Sequence, residues 1–342
     1  MFAGNSYRKS LSTLAGLGIA ILVGSVLAST ALAITALPDM QLDLRNGSTD
    51  VVAVSSPSAV VNSEFWAVVN GTTNDYVNNF AASVYSATGP GGGPGIIYGD
   101  MALTFSSAFM ASRLYSPNPG LCYAGTSQNL DADGDNDIGS TNSANVLSGW
   151  IFPAADTTGA PSPLDVGQVT FTGTGWVAGS HGVTKLFVVS DPNPNATGYI
   201  KDGVGGTTTA ATGRVVTLYR PATAVIGPTA EDGYKFHIGV GDMTKILGGT
   251  GSTGTIKTWQ WVIDGIPTNL TGDTPTLTLA YLVDTLHLGV AMYSIVLNLT
   301  SDYETITSDS GIFMIDSVPE PATLALLAFG GLAMLARRRR SA

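Results

Sequence analysis

The 342-residue sequence predicts an all-β protein: two β-sandwich domains between an apolar N-terminal segment and a C-terminal transmembrane helix. Three observations carry that expectation. Short apolar runs recur about every ten residues and alternate along their length, as sandwich strands do and βαβ units do not. Ser, Thr, Asn and 42 glycines fill the gaps, and only 12% of residues are charged. Outside the two ends, no amphipathic pattern runs longer than two helical turns. β-branched and aromatic residues are too frequent for a disordered chain.

Residues 1–33 read as a signal peptide. Arg8 and Lys9 precede an apolar run from Leu11 to Leu27, and Ala31-Leu32-Ala33 supplies the small residues of a cleavage site. The mature chain is then expected to start at Ile34. An uncleaved anchor is the other reading of this segment.

The first sandwich is placed at 34–220. Glu64–Val69 reads as a buried strand, and Phe80–Tyr85 alternates Phe80, Ala82 and Val84 against Ala81, Ser83 and Tyr85. Gly89–Gly95 is a loop, because its glycines and prolines suit turns. Strand character resumes over Ile96–Phe105. Val169–Thr172 and Lys185–Val189 read as a pair of strands joined by a glycine-rich connection, and Arg214–Tyr219 as one more.

Pro221–Pro228 marks the expected boundary, and the pattern restarts over 221–317. Expected strand blocks lie at Tyr234–Ile238, Thr258–Gly265, Thr276–Leu288, Tyr293–Thr300 and Gly311–Ile315. Tyr293, Ile295, Leu297 and Leu299 should point inward.

The last segment, 318–342, has three parts: Pro319-Glu320-Pro321, an uncharged stretch 322–336, and Arg337, Arg338, Arg339 and Arg340. As a helix the stretch reaches about 23 Å. A hydrocarbon core is about 30 Å thick, so arginine snorkelling and local thinning would complete a membrane crossing. The arginines would stay on the cytoplasmic side.

Charge excludes several functions. Residues 34–318 hold nine of the fifteen basic and twenty-four of the twenty-five acidic residues, a net of −15. Such a surface repels nucleic acid and anionic lipid and attracts divalent cations. The single cysteine, Cys122, rules out an intrachain disulfide. It reads as a small buried hydrophobe more readily than as a nucleophile.

The sharpest local motif is Asp131-Ala132-Asp133-Gly134-Asp135-Asn136-Asp137. Four carboxylates in one tight loop can converge on a hard cation, and Ca2+ takes six to eight oxygens in flexible geometry. Two readings stand: a calcium site using Asp131, Asp133, Asp135 and Asp137, or a solvated acidic turn. Backbone carbonyls, Asn136, Asn142 or a distant acid would complete the first.

Catalytic signals are sparse, and no enzymatic activity is expected. His181, His237 and His287 lack zinc-site spacing. Glu64, Glu231 and Glu304 are the only glutamates before the tail, and nothing marks a carboxylate pair for glycoside hydrolysis. Trp66, Trp150, Trp176, Trp259 and Trp261 suit core packing or a sugar-stacking platform, and Trp259 and Trp261 share one strand face.

The three-part tail resembles the PEP-CTERM sorting signal. That resemblance implies export from a Gram-negative-type cell. It also implies recognition by an exosortase-type membrane transpeptidase, an inner-membrane intermediate, and delivery to the cell surface or extracellular matrix. Trp259…Asp264-Gly265 followed by Met292–Thr300 resembles a PKD-type immunoglobulin-like domain, although the family's repeated Asp-Gly pair is single here. The strand spacing of the first half resembles cohesin-like and carbohydrate-binding sandwiches. The acidic loop is similar to those of dockerins, EF-hands and thrombospondin type 3 repeats. It departs from the EF-hand at position six (Asn136) and position twelve (Asn142). Together these imply an envelope or matrix structural or adhesion protein, with polysaccharide or matrix proteins as partners. The alternatives are a carbohydrate-binding surface module and a matrix-glycan hydrolase.

Overall fold

The computed structural model describes residues 38–72, 74–112, 122–123, 126–139, 147–150, 159–191, 198–227 and 235–316. Ala31 and Ala33 lie outside the described residues, as do Pro319, Glu320, Pro321, the stretch 322–336 and Arg337–Arg340. Among the described residues no helix is long and apolar enough to cross a membrane.

The described chain is built of β-strands. In its first half, one sheet runs Ala211–Thr212, Met40–Arg45, Val60–Val69, Leu164–Trp176, Ile97–Phe105. The second runs Val204–Thr207, Gly198–Lys201, Tyr76–Ala87, Thr184–Ser190, Val216–Tyr219, Val51–Ala53, with shorter strands added at Tyr76–Ala87. Alternation sets the inner face. In Val60–Val69, the residues Val61, Ser63, Phe65, Ala67 and Val69 are buried while Val60, Asn62 and Glu64 are exposed. Phe65 of the first sheet meets Phe80 of the second edge-to-face at 5.8 Å and 86°. Each ring's burial contributes about 1.5–3 kcal/mol. A short helix, Ser107–Ala111, adds Phe109 to the same cluster, 6.0 Å from Phe80. Ser106 caps it by accepting the Phe109 N–H at 2.9 Å.

Two sequence expectations are corrected here. Val169–Thr172 and Lys185–Val189 are strands, but they do not pair with each other. The first belongs to Leu164–Trp176 in one sheet and the second to Thr184–Ser190 in the other. The connection between them crosses from sheet to sheet. Both strands bury an apolar face on the same core, so their patterns alone do not separate a hairpin from a crossover. Thr276–Leu288 is likewise not one strand. Pairing covers only Thr276–Thr278, and a π-helical turn follows at Tyr281–Thr285. The buried residues are Leu277, Leu279 and Leu282. Their spacing changes from two to three as the extended chain winds into a turn.

In the second half, a five-stranded sheet runs Lys235–Ile238, Thr307–Ile315, Met292–Thr300, Thr258–Ile263, Ile266–Pro267. Asp264 (φ +48°) and Gly265 (φ +76°) form the two-residue turn that pairs Ile263 with Ile266. Both positive φ angles are those of a type I′ hairpin, which is why Asp-Gly stands there. Ile295, Leu297 and Leu299 are buried and Tyr293 is half-buried, on the inward side as expected.

One buried cluster draws on Met40–Leu218 and the other on Ala222–Ile315. Thr255 N–H donates to the Arg220 carbonyl at 2.7 Å, and Ile256 N–H to that of His181 at 3.0 Å. Tyr219 stacks on Tyr303 at 5.1 Å.

Candidate metal centre

The acidic loop links the first half's two sheets. Asn136 bonds to the edge strand Ile97–Phe105: its N–H donates to the Gly99 carbonyl at 3.2 Å, and its carbonyl accepts from Met101 N–H at 3.1 Å. Its Nδ2 donates to Asp100 Oδ1 at 2.6 Å. On the other side Ile138 pairs with Val84 of the strand Tyr76–Ala87. Gly134 sits at φ +106°, a backbone shape that an L-residue rarely adopts, and this lets the loop double back.

Within the loop, each of three carboxylates divides its work. Asp131 Oδ1 accepts from Asp133 N–H at 3.3 Å, and Asp133 Oδ1 accepts from Asp135 N–H at 3.2 Å. Asp135 Oδ2 accepts from the Ser86 hydroxyl at 2.9 Å. The other oxygens, Asp131 Oδ2, Asp133 Oδ2 and Asp135 Oδ1, are buried and have no hydrogen-bond partner. One ligand atom from each residue lies within 4.8 Å of the others. Asp135 is only 3% exposed.

Asp137 does not join this group. Its Oδ1 accepts from Ser86 N–H at 3.0 Å and its Oδ2 from Leu130 N–H at 3.1 Å, so both oxygens hold the loop to the sheet. The expected four-carboxylate site is therefore a three-carboxylate cluster on an Asp137 support. Asn142 lies outside the described residues. Ser86 and Asp100, which position the loop, were not anticipated. They lie 49 and 36 residues from their partners, and no local pattern marks them.

Unpaired buried carboxylates are costly, and their proton affinities show it. Burial, then the neighbouring Asp133, pushes Asp135 up to about 8. Burial, offset by the Ser86 and Leu130 N–H donors, pushes Asp137 up to about 7. Burial and Asp133 also raise Asp131. A carboxylate cluster with three buried oxygens that lack donors is what a hard, oxygen-seeking cation would satisfy, so the donor set fits Ca2+.

The other candidates are scattered. Trp261 is fully buried, and Trp259, on the same inward face, packs against the second core and the edge of His181 at 5.0 Å. That face is not open for stacking. Trp66 and Trp176 are half-buried, under Arg45 at 5.1 Å and Arg220 at 4.3 Å. The Trp150 side chain is outside the described set. Trp66 and Asp165 line a cleft of about 570 Å³ with Pro161 and Leu164, but no second described tryptophan joins them. His181 contacts the Gly254 carbonyl at 3.1 Å, and His237 pairs with Asp316 at 2.9 Å.

Comparison with known proteins decides the tail. The family model of the PEP-CTERM protein-sorting motif matches residues 317–340. The chain carries a PEP-CTERM sorting motif. The motif directs exosortase-dependent sorting: export, and processing at the membrane toward the cell surface. No curated protein matches the chain. Among solved structures, Dpr11 IG1 bound to DIP-gamma IG+IG2 is 7% identical, with TM-score 0.28, over 82% of this chain and 100% of that one. A Ca2+-stabilized adhesin of an Antarctic bacterium is 11% identical, with TM-score 0.21, over 82% of this chain and 49% of its own length. These are distant β-rich neighbours and carry no weight for function.

Proposed function

We propose that this PEP-CTERM protein is a structural or adhesive component of the cell envelope or extracellular matrix, with no enzymatic activity. In this reading residues 1–33 are removed on export, 34–220 and 221–317 are two sandwich domains, and 322–336 holds the precursor in the membrane. The sorting motif at 317–340 carries the reading. Asp131, Asp133 and Asp135 bind a Ca2+ ion that braces the edge between the two sheets of the first domain. The support for that is the trio of buried, partnerless oxygens. The external medium supplies the ion, and the net charge of −15 over residues 34–318 favours its approach. Polysaccharide or neighbouring matrix proteins are the partners of the exported body.

Replacing Pro319, Glu320 and Pro321 by alanine tests the sorting role. The variant should accumulate as a full-length membrane precursor while the parent is processed. Normal processing of the variant would sink the proposal.

A further inference from the structure

The strand Thr307–Ile315 lies between Lys235–Ile238 and Met292–Thr300, and it delivers the chain to the sorting segment. At its end Asp316 N–H donates to the Ile238 carbonyl at 3.1 Å, and Ile315 N–H to the Ala291 carbonyl at 2.9 Å. Each neighbouring strand therefore sets a loop beside the exit. After Ile238 comes a tight turn, closed by reciprocal 3.0 Å bonds between Gly239 and Asp242, with Val240 in it. On the other side, 287–291 leads into Met292. Both loops present apolar side chains to solvent: Val240 is 50% exposed, Val290 55% and Met292 69%. Single exposed apolar residues are ordinary. Three of them flanking the point where the chain leaves the fold are not.

Chain length says what they meet. From Asp316 to Ala322, where the uncharged stretch begins, there are six residue steps, at most about 20 Å when extended. The headgroup layer occupies about 5–8 Å of that distance. With 322–336 in the bilayer, the exit end of the second domain is held within about 12–15 Å of the lipid surface, close enough to touch it. The body's acidity opposes attraction to anionic headgroups, so contact there must come from apolar insertion, for which valine and methionine are suited.

We infer that, in the membrane-held precursor, the Val240 turn and the Val290–Met292 loop dock into the headgroup–acyl boundary of the bilayer. This rests on the reading of 322–336 as the anchor. Docking keeps Pro319-Glu320-Pro321 at the membrane plane, where a membrane enzyme can reach it.

The test uses the chain as exported, residues 34–342, with Cys122→Ser, reconstituted in protein-free vesicles of phosphatidylethanolamine and phosphatidylglycerol. A polarity-sensitive fluorophore is placed at Val290→Cys or, as comparison, at Ile306→Cys. Ile306 is 64% exposed and lies just before the far end of the same final strand. Lipid-borne quenchers should quench the label at 290 several-fold more than that at 306. Adding Val240→Ser and Met292→Ser should reduce the difference while the chain still floats with the vesicles. Equal quenching in a chain that floats would overturn the docking and leave the anchor intact. A chain that does not float would overturn the anchor, and the docking with it. Protection at 290 in native membranes but not in these vesicles would assign the surface to a protein partner and overturn the lipid assignment.

Discussion

Ser86 donates its hydroxyl to Asp135 Oδ2 at 2.9 Å, and Asp135 Oδ1, in the cluster with Asp131 and Asp133, is left buried without a partner. A strand of the second sheet thus decides which oxygen of a distant loop is free. Ser86 accordingly acts as an outer support of the proposed ion site. Ser86→Ala should weaken calcium binding by about 10–100-fold, the usual cost of removing such a support. Titration calorimetry on residues 34–318 measures it, and unchanged affinity would count against the assignment.

Calcium should stabilise the same fragment. At a hundredfold excess over Kd the gain is about 2.7 kcal/mol. For a protein of this size that raises Tm by roughly 5–10 °C. Excess chelator should remove the gain, and Asp133→Ala with Asp135→Ala should abolish the response. A parent protein that melts at the same temperature with and without calcium would reduce the loop to an acidic turn.

Without the ion, stability should depend on pH in an unusual direction. Asp135 keeps its proton to about 8 in the folded protein, whereas the ordinary value is 3.8. Between those values the native state binds the extra proton, so stability falls as pH rises from about 4 to about 8. Asp137, raised to about 7, acts in the same sense. In chelator, the denaturation midpoint should decline over that window, and Asp135→Asn should flatten the decline. A midpoint that climbs with pH would contradict it.

Phe80 touches both Phe65 and Phe109 and is fully buried. Phe80→Ala should cost about 3–5 kcal/mol, through lost transfer energy and the cavity left between the sheets. Urea denaturation reads this directly. A loss below about 1 kcal/mol would mean that the sheets close over the gap.

Gly265 closes the Ile263–Ile266 hairpin at φ +76°. Its side faces open space, so a substitution meets backbone strain and not a clash. Gly265→Ala should cost about 1–2 kcal/mol. Asp264→Gly at the neighbouring position, φ +48°, should be tolerated better. Equal losses for the two variants would remove turn strain as the cause.

Much of this molecule is written locally. Alternation in Val60–Val69, Tyr76–Ala87 and Met292–Thr300 marks strands and their inner faces, because side chains two apart share a side. Asp264-Gly265 marks its own turn. The spacing of Asp131, Asp133 and Asp135 marks the carboxylate cluster proposed to hold an ion, and the tail carries its sorting motif in consecutive residues. What the sequence does not hold locally is which strand pairs with which. The strands Leu164–Trp176 and Thr184–Ser190 carry similar apolar faces, and only packing around Phe65, Phe80 and Phe109 sends them to different sheets. A separate core, that of the second half, takes Trp259 and Trp261 inward. In the first half, folding gives Asp137 the Ser86 and Leu130 N–H groups, and so separates it from three aspartates that look identical to it in the sequence. A carboxylate's role depends on the donors that reach it, and those donors come from strands that only the folded chain brings near.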